Sequence, residues 1–207
     1  MNEPNTLIRV RDFIFSSQLN KLDLNKIAHG INKPLNELLL EFPHPEALAK
    51  RLLQLDFEEL NAILDKNVFE KEGAVDSIIL ASISIFHAFE TVSPFKNRFV
   101  KKLYPELYKT HLKLKLSLIE DHLSNNLTKG IKNGEYHQEL AINEVLKKYI
   151  DRIKAIHSEK IMKTEHFTFS AIFHNIFEDY IKEVATSENW HYFRNRKQLI
   201  DALNFGK

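Results

Sequence analysis

Two residue pairs have a spacing that could ligate a metal: Glu41-x-x-His44 and Glu188-x-x-His191. Residues three apart share one face of a helix, and a Glu and a His so placed are the ligands of di-metal helical bundles. One pair lies near the N-terminus and the other in the C-terminal tail, so the two are not expected to converge. His87 and Glu90 repeat the spacing, and His111 and His122 stand alone. Their plain reading is core histidines bonded to carbonyls or water. There is no cysteine, which excludes disulfides, thiolate nucleophiles and Cys-based zinc sites. No nucleophile, base and acid form a convincing triad. The chain therefore reads as a non-enzyme, with no metal and no cofactor.

The other chemistry a sequence can carry is recognition, and here it centres on residues 23–53, DLNKIAHGINKPLNELLLEFPHPEALAKRLL. Asp23 can cap a short helix that buries Leu24, Ile27 and Ala28. Asn32 tolerates the left-handed conformation of a tight interhelical turn. Pro34 suits the first turn of a second helix, Pro34 to Phe42, with Leu35, Leu38, Leu39 and Phe42 on or near one side. Pro43 and Pro45 stop that helix and start a third, with Glu46 favourably near its dipole. This is a helix-turn-helix docked on the start of a long helix, a unit whose second helix commonly enters the major groove of DNA.

Composition places the unit in an all-α chain. Five glycines in 207 residues, and long Pro-free stretches rich in Leu, Ile, Lys and Glu, favour helices. No alternating apolar run is bounded by turn dipeptides, as a sheet needs. Residues 6–18 read as an amphipathic helix on Leu7, Ile8, Val10, Ile14 and Phe15. Residues 45–67 form the third helix, and 74–91 one that is apolar all round and hence central. Further helices are expected at 96–103, 106–132, 141–157 and 164–184. A polar tail, 187–207, carries a short helix around 198–203. The count is about nine. The expected domains are 1–50, the helix-turn-helix, and 51–207, the remainder. The N-terminus lacks a basic start followed by an apolar run, so no signal peptide is expected. No uncharged apolar run approaches the length of a membrane span, and the cytoplasm is the default location.

A net charge of +1 gives no global argument for a polyanion partner. From Met1 to Leu55 seven basic residues face six acidic ones, low for a DNA-reading segment. Residues 96–118 are basic and 57–76 acidic, as solvated helix faces commonly are.

The plan resembles the TetR family of bacterial transcriptional repressors. Asp23-Leu24-Asn25-Lys26-Ile27-Ala28 stands where that family has T-V-x-x-I-A, and Leu38 and Phe42 stand where it has L-Y-x-x-F. PHPEAL, Pro43 to Leu48, resembles the family's P-S-K-E-A-L. Phe15 matches its first-helix aromatic. Ser93-Pro94, Tyr104-Pro105-Glu106-Leu107-Tyr108 and the run Lys129 to Tyr136, KGIKNGEY, follow the order found in a subset of its C-terminal domains. The departures concentrate in the second helix. Where the family has G-V-S-K-G-T-L-Y, this chain has Asn32-Lys33-Pro34-Leu35-Asn36-Glu37-Leu38-Leu39. A capping Ser has become Pro34, a Lys Leu35 and a Thr Glu37.

The resemblance implies a homodimer, operator DNA as partner and a small apolar effector. The DNA-facing residues it implies are Lys26, Lys33, Pro34, Leu35, Asn36, Leu39, Leu40 and His44. An effector pocket is expected from Phe86, Phe89 and Leu112, with polar tips from His87, Tyr104, Tyr108 and His111. The last two long helices are expected at the dimer interface. They would contribute Ile142, Leu146, Tyr149 and Ile153 from one, and Phe169, Phe173, Ile176, Phe177 and Tyr180 from the other. The alternative is the same fold without DNA binding, serving as a small-molecule or lipid carrier or as a protein-interaction module.

Overall fold

The structure is a computed structural model. It describes residues 6–17, 19, 21–65, 69–89, 98–158 and 169–205, apart from the side chains of 86, 89, 98, 169–174 and 199–205. The described residues are all-α, with ten helices. They are α1 (Thr6–Ser16), α2 (Leu24–Gly30), α3 (Leu35–Glu41), α4 (Pro45–Leu64), α5 (Ala74–Phe89), α6 (Arg98–Leu103), α7 (Pro105–Lys132), α8 (Ile142–Ile156), α9 (Phe169–Val184) and α10 (Ser187–Phe205). Extended pairing among the described residues is limited to one isolated antiparallel bridge, Tyr136 with Ala185.

The chain forms two compact units, Met1–Glu59 with Phe95–Leu114 and Leu60–Pro94 with Lys115–Lys207. Helices α4 and α7 each contribute residues to both. The first unit closes on Val10, Ile14, Ile27, Leu38, Leu48 and Ala49, all nearly inaccessible, with Val100 and Tyr108 completing the core. These are the inward positions of the amphipathic patterns, and burying them is the main force that holds such short helices. α1 is fastened to α4 by Arg11, whose guanidinium lies 2.7 Å from Glu59.

The second unit packs Ala74, Val75 and Ile78 of α5 against Leu127 of α7, Tyr149 of α8 and Tyr180, Ile181 and Val184 of α9. The KGIKNGEY run explains itself here. Gly134 takes a φ of 75°, which a side chain would resist. The turn it makes sends Glu135 to the N-terminus of α5, where its carboxylate accepts from the amides of Ala74 at 2.8 Å and Val75 at 3.0 Å. A carboxylate there satisfies orphan donors and meets the positive end of the helix. Tyr136, wholly buried, donates to Asn126 at 2.8 Å, and Asn126 in turn donates to the carbonyl of Ala74 at 2.8 Å.

One expectation is overturned. The tail expected to be polar with a short helix near 198–203 is a 19-residue helix, α10. Its start is fixed by Thr186, whose carbonyl accepts from Trp190 at 2.8 Å and whose hydroxyl accepts from Asn189 at 3.0 Å. Phe193 is buried in the second core and stacks on Trp190 at 5.7 Å. Trp190 and Phe193 anchor the first half of the helix, and the unbroken polar run Arg194 to Gln198 that follows hides its period in the sequence.

Candidate nucleic-acid interface

The local geometry of residues 23–48 follows from a few residues. Asp23 caps α2, its carboxylate accepting from the amides of Asn25 at 3.1 Å and Lys26 at 3.2 Å. Asn32 sits at φ 54°, the left-handed turn expected of it. The chain reverses there, with the amide of Lys33 bonding Ala28 at 2.9 Å. Gly30 ends α2 against the ring of Phe13, on which a Cβ would fall. Arg9 donates to the carbonyl of Ile31 and fixes the turn on α1.

Pro34 stands just before α3 as its N-cap, not in its first turn, and offers no side-chain bond. Its carbonyl accepts from Glu37 and Leu38 at 3.1 Å. α3 has seven residues, LNELLLE, with no cation and two carboxylates. Leu38 and Phe42 are buried and Leu35 is half-buried against the same core. Asn36, Glu37, Leu39 and Leu40 face outward, Leu40 being 86% exposed.

The cation nearest α3 is already engaged. Lys33 Nζ lies 2.7 Å from Glu41 Oε1 and 3.1 Å from Thr6 Oγ1. His44 is engaged too, its Nδ1 accepting from the amide of Ala47 at 3.2 Å and so capping α4. Pro34 and Lys26 are exposed. The eight residues expected to face DNA thus divide. Lys26, Asn36, Leu39 and Leu40 present free outward groups, Pro34 presents its ring, Lys33 and His44 hold local structure, and Leu35 packs. Glu41 was missed as a partner of Lys33, because a residue in the turn and one at the end of α3 share no helical register.

No family model matches this sequence, and no curated protein does. Solved structures match along most of its length. The regulator FadR from Bacillus subtilis, solved with stearoyl-CoA, has a TM-score of 0.62 at 15% identity, over 84% of this chain and 97% of that one. FadR from Bacillus halodurans gives 0.59 at 15% identity, over 85% and 96%. The ketosteroid regulator KstR2 of Mycobacterium tuberculosis gives 0.57 at 13% identity, over 88% and 94%. The fold is that of solved TetR-family regulators.

Within this TetR fold the residues expected to line one effector pocket fall in two different units. Tyr104, Tyr108 and Leu112 pack into the first core. His111, beside Tyr108, lies 2.9 Å from Asp56, both nearly inaccessible. Burial, and then the charge of Asp56, push the Tyr108 hydroxyl well above its usual range. His87 belongs to the second unit and is exposed, and the side chains of Phe86 and Phe89 lie outside the described residues.

Of the residues expected at a dimer interface, Leu146, Tyr149 and Tyr180 are already covered within their own chain. Tyr149 and Tyr180 meet edge to face at 5.1 Å. Tyr149 donates to Glu183 at 2.7 Å, and Arg152 reaches Asp179 at 2.9 Å, so α8 and α9 are fastened to each other. Ile142, Ile153, Ile176 and Phe177 remain half-buried, and the side chains of Phe169 and Phe173 lie outside the described residues. No group of three metal-ligating side chains comes together among the described residues. Glu41 is spent on Lys33 and His44 on α4, while His191 Nδ1 lies 2.6 Å from the carbonyl of Ser187 in its own helix. No helix searched is long and apolar enough to cross a membrane.

Proposed function

We propose that this chain is a homodimeric transcriptional repressor that reads operator DNA through α3 and is released by a small molecule bound in its second unit. One observation carries the reading. α3 is held by the buried Leu38 and Phe42 on a capped helix-turn-helix, and its opposite face, Asn36, Leu39 and Leu40, is turned to solvent. One exposed leucine is ordinary on a protein surface, but Leu39 and Leu40 stand side by side on the outward face of one short helix. The thymine methyl in the major groove is an apolar partner, and the Asn36 carboxamide matches the donor and acceptor of adenine. Phosphate contacts fall to exposed cations around the unit, Lys21, Lys26 and Lys50.

Binding of this kind is weakly cationic. Base contacts and shape carry more of it than usual, and its affinity is modest. Release follows because α4 and α7 carry residues of both units. A ligand that favours one arrangement of these helices alters how well two copies of α3 match two half-sites.

The test is a mobility shift of the full chain against DNA flanking its own gene, with a scrambled duplex of equal length as competitor. The expected result is a complex that the scrambled duplex does not displace. Equal displacement, or no complex at low salt, overturns the reading and leaves the fold to a carrier or interaction role.

A further inference from the structure

A cavity of about 780 Å³ opens in the second unit, between the C-terminal end of α4, the turn that precedes α5 and the middle of α7. Small-molecule sites run from about 300 to 1,000 Å³. Leu64, Phe69 and Leu118 give it an apolar portion, and the rest of its lining is polar.

Much of that polarity is already committed. Ser77 donates to the carbonyl of Gly73 at 2.7 Å. Asn126 is held by Ala74 and Tyr136. The Lys129 ammonium donates to the carbonyls of Phe69 at 3.2 Å and Glu70 at 2.9 Å. His122 bonds the carbonyl of Leu64 through Nδ1 at 3.3 Å, so that nitrogen carries the proton and Nε2 is a bare acceptor, buried and unpartnered. Burial also lowers the His122 pKa, so the ring adds no positive charge at neutral pH.

The rest of the described lining is acidic on balance. Among the described residues, Asp65, Glu70 and Asp121 line the cavity together with the ammonium of Lys129. Asn61 and Asn125 add two carboxamides. α4 points its C-terminus here, the negative end of its dipole, and its last turn carries no basic residue.

We infer that this cavity binds a linear organic amine, its ammonium groups taken by Glu70 and Asp121 and its hydrocarbon lying on Phe69 and Leu118. A carboxylate or phosphate ligand would face three carboxylates, and a wholly apolar one would strand the polar walls unpaired. The inference rests on reading the second unit as the ligand-holding part, and it replaces an apolar effector with a cationic one.

Isothermal titration of the full chain with spermidine, at about 0.15 M salt so that loose counter-ion binding is screened, is the test. Magnesium chloride and hexanoate are the comparison titrants, and no DNA is present. Spermidine is expected to bind saturably at one site. The Glu70→Gln, Asp121→Asn double variant, altered only at exposed side chains, should weaken it about tenfold with unchanged circular dichroism. Heat from magnesium equal to that from spermidine, tighter binding of hexanoate, or an unchanged affinity in the double variant would overturn the inference. A failed operator assay would sink the regulatory reading and leave this result standing.

Discussion

Lys33 Nζ lies 2.7 Å from Glu41 Oε1, joining the turn before α3 to the last residue of α3. The contact clamps a seven-residue helix that has no side-chain N-cap. It also neutralises the cation nearest α3, one of the residues expected to face DNA. Stability of the reading head and charge for DNA are thus drawn from the same lysine.

Glu41→Gln should release that charge. We expect operator affinity to rise roughly threefold to tenfold, and the slope of log affinity against log salt to steepen by about 0.9 for each lysine gained. Fluorescence anisotropy across a salt series measures both. An unchanged slope would mean that Lys33 never reaches a phosphate.

The two faces of α3 should separate by mutation. Leu38→Ala removes a fully buried side chain and should cost about 2–5 kcal/mol in urea unfolding. Leu40→Ala, at 86% exposure, should stay within about 0.5 kcal/mol of the parent yet weaken operator binding. Parallel losses of stability in both variants would contradict this division of roles.

This division was legible in the sequence only in part. The buried set Leu24, Ile27, Ala28, Leu38 and Phe42 follows from helical period, and Asn32 from the turn it must make. Asp23 announces its cap by chemistry alone. The pairs that decide charge do not show. Lys33, in the turn before α3, meets Glu41 at the far end of α3, and Asp56 and His111 are 55 positions apart, so neither follows from local spacing. Spacing also drew Tyr108 and His111 toward a ligand pocket with Phe86 and Phe89. Period identifies an inward face but not the core it faces, and the fold places the first two in a different unit. The cavity of the second unit escaped notice because its walls come from the ends and turns of three segments, where no periodicity exists.

Gly30→Ala should destabilise the first unit. The added methyl would fall on the ring of Phe13, which is wedged against the same core. Overpacking of this kind costs about 1–3 kcal/mol. A lowered midpoint in thermal unfolding checks it, and a second change, Phe13→Leu, should recover part of the loss. A stable Gly30→Ala protein would show that Phe13 has room to move.

His122 predicts a pH dependence. Burial lowers its pKa from the model-compound 6.5, so the unfolded chain takes up that proton more readily than the folded one. Stability from this group is complete above 6.5 and declines as pH falls through the window below it. Urea midpoints at about pH 7.5 and about pH 5.5 should differ, and His122→Gln should shrink the difference. An identical pH profile in the variant would remove His122 as the source.

The central claim is that α3 reads DNA, and the salt dependence of operator binding tests it most directly. Anisotropy of a labelled flanking duplex would be read at about 50 mM and about 200 mM salt, where two phosphate contacts give about a tenfold loss of affinity. We predict a loss of at least that size for the operator, reaching about a thousandfold with Lys21, Lys26 and Lys50 of both protomers on phosphates, and the scrambled duplex binding more weakly at both salts. A flat response, or equal affinity for both duplexes, would contradict the account.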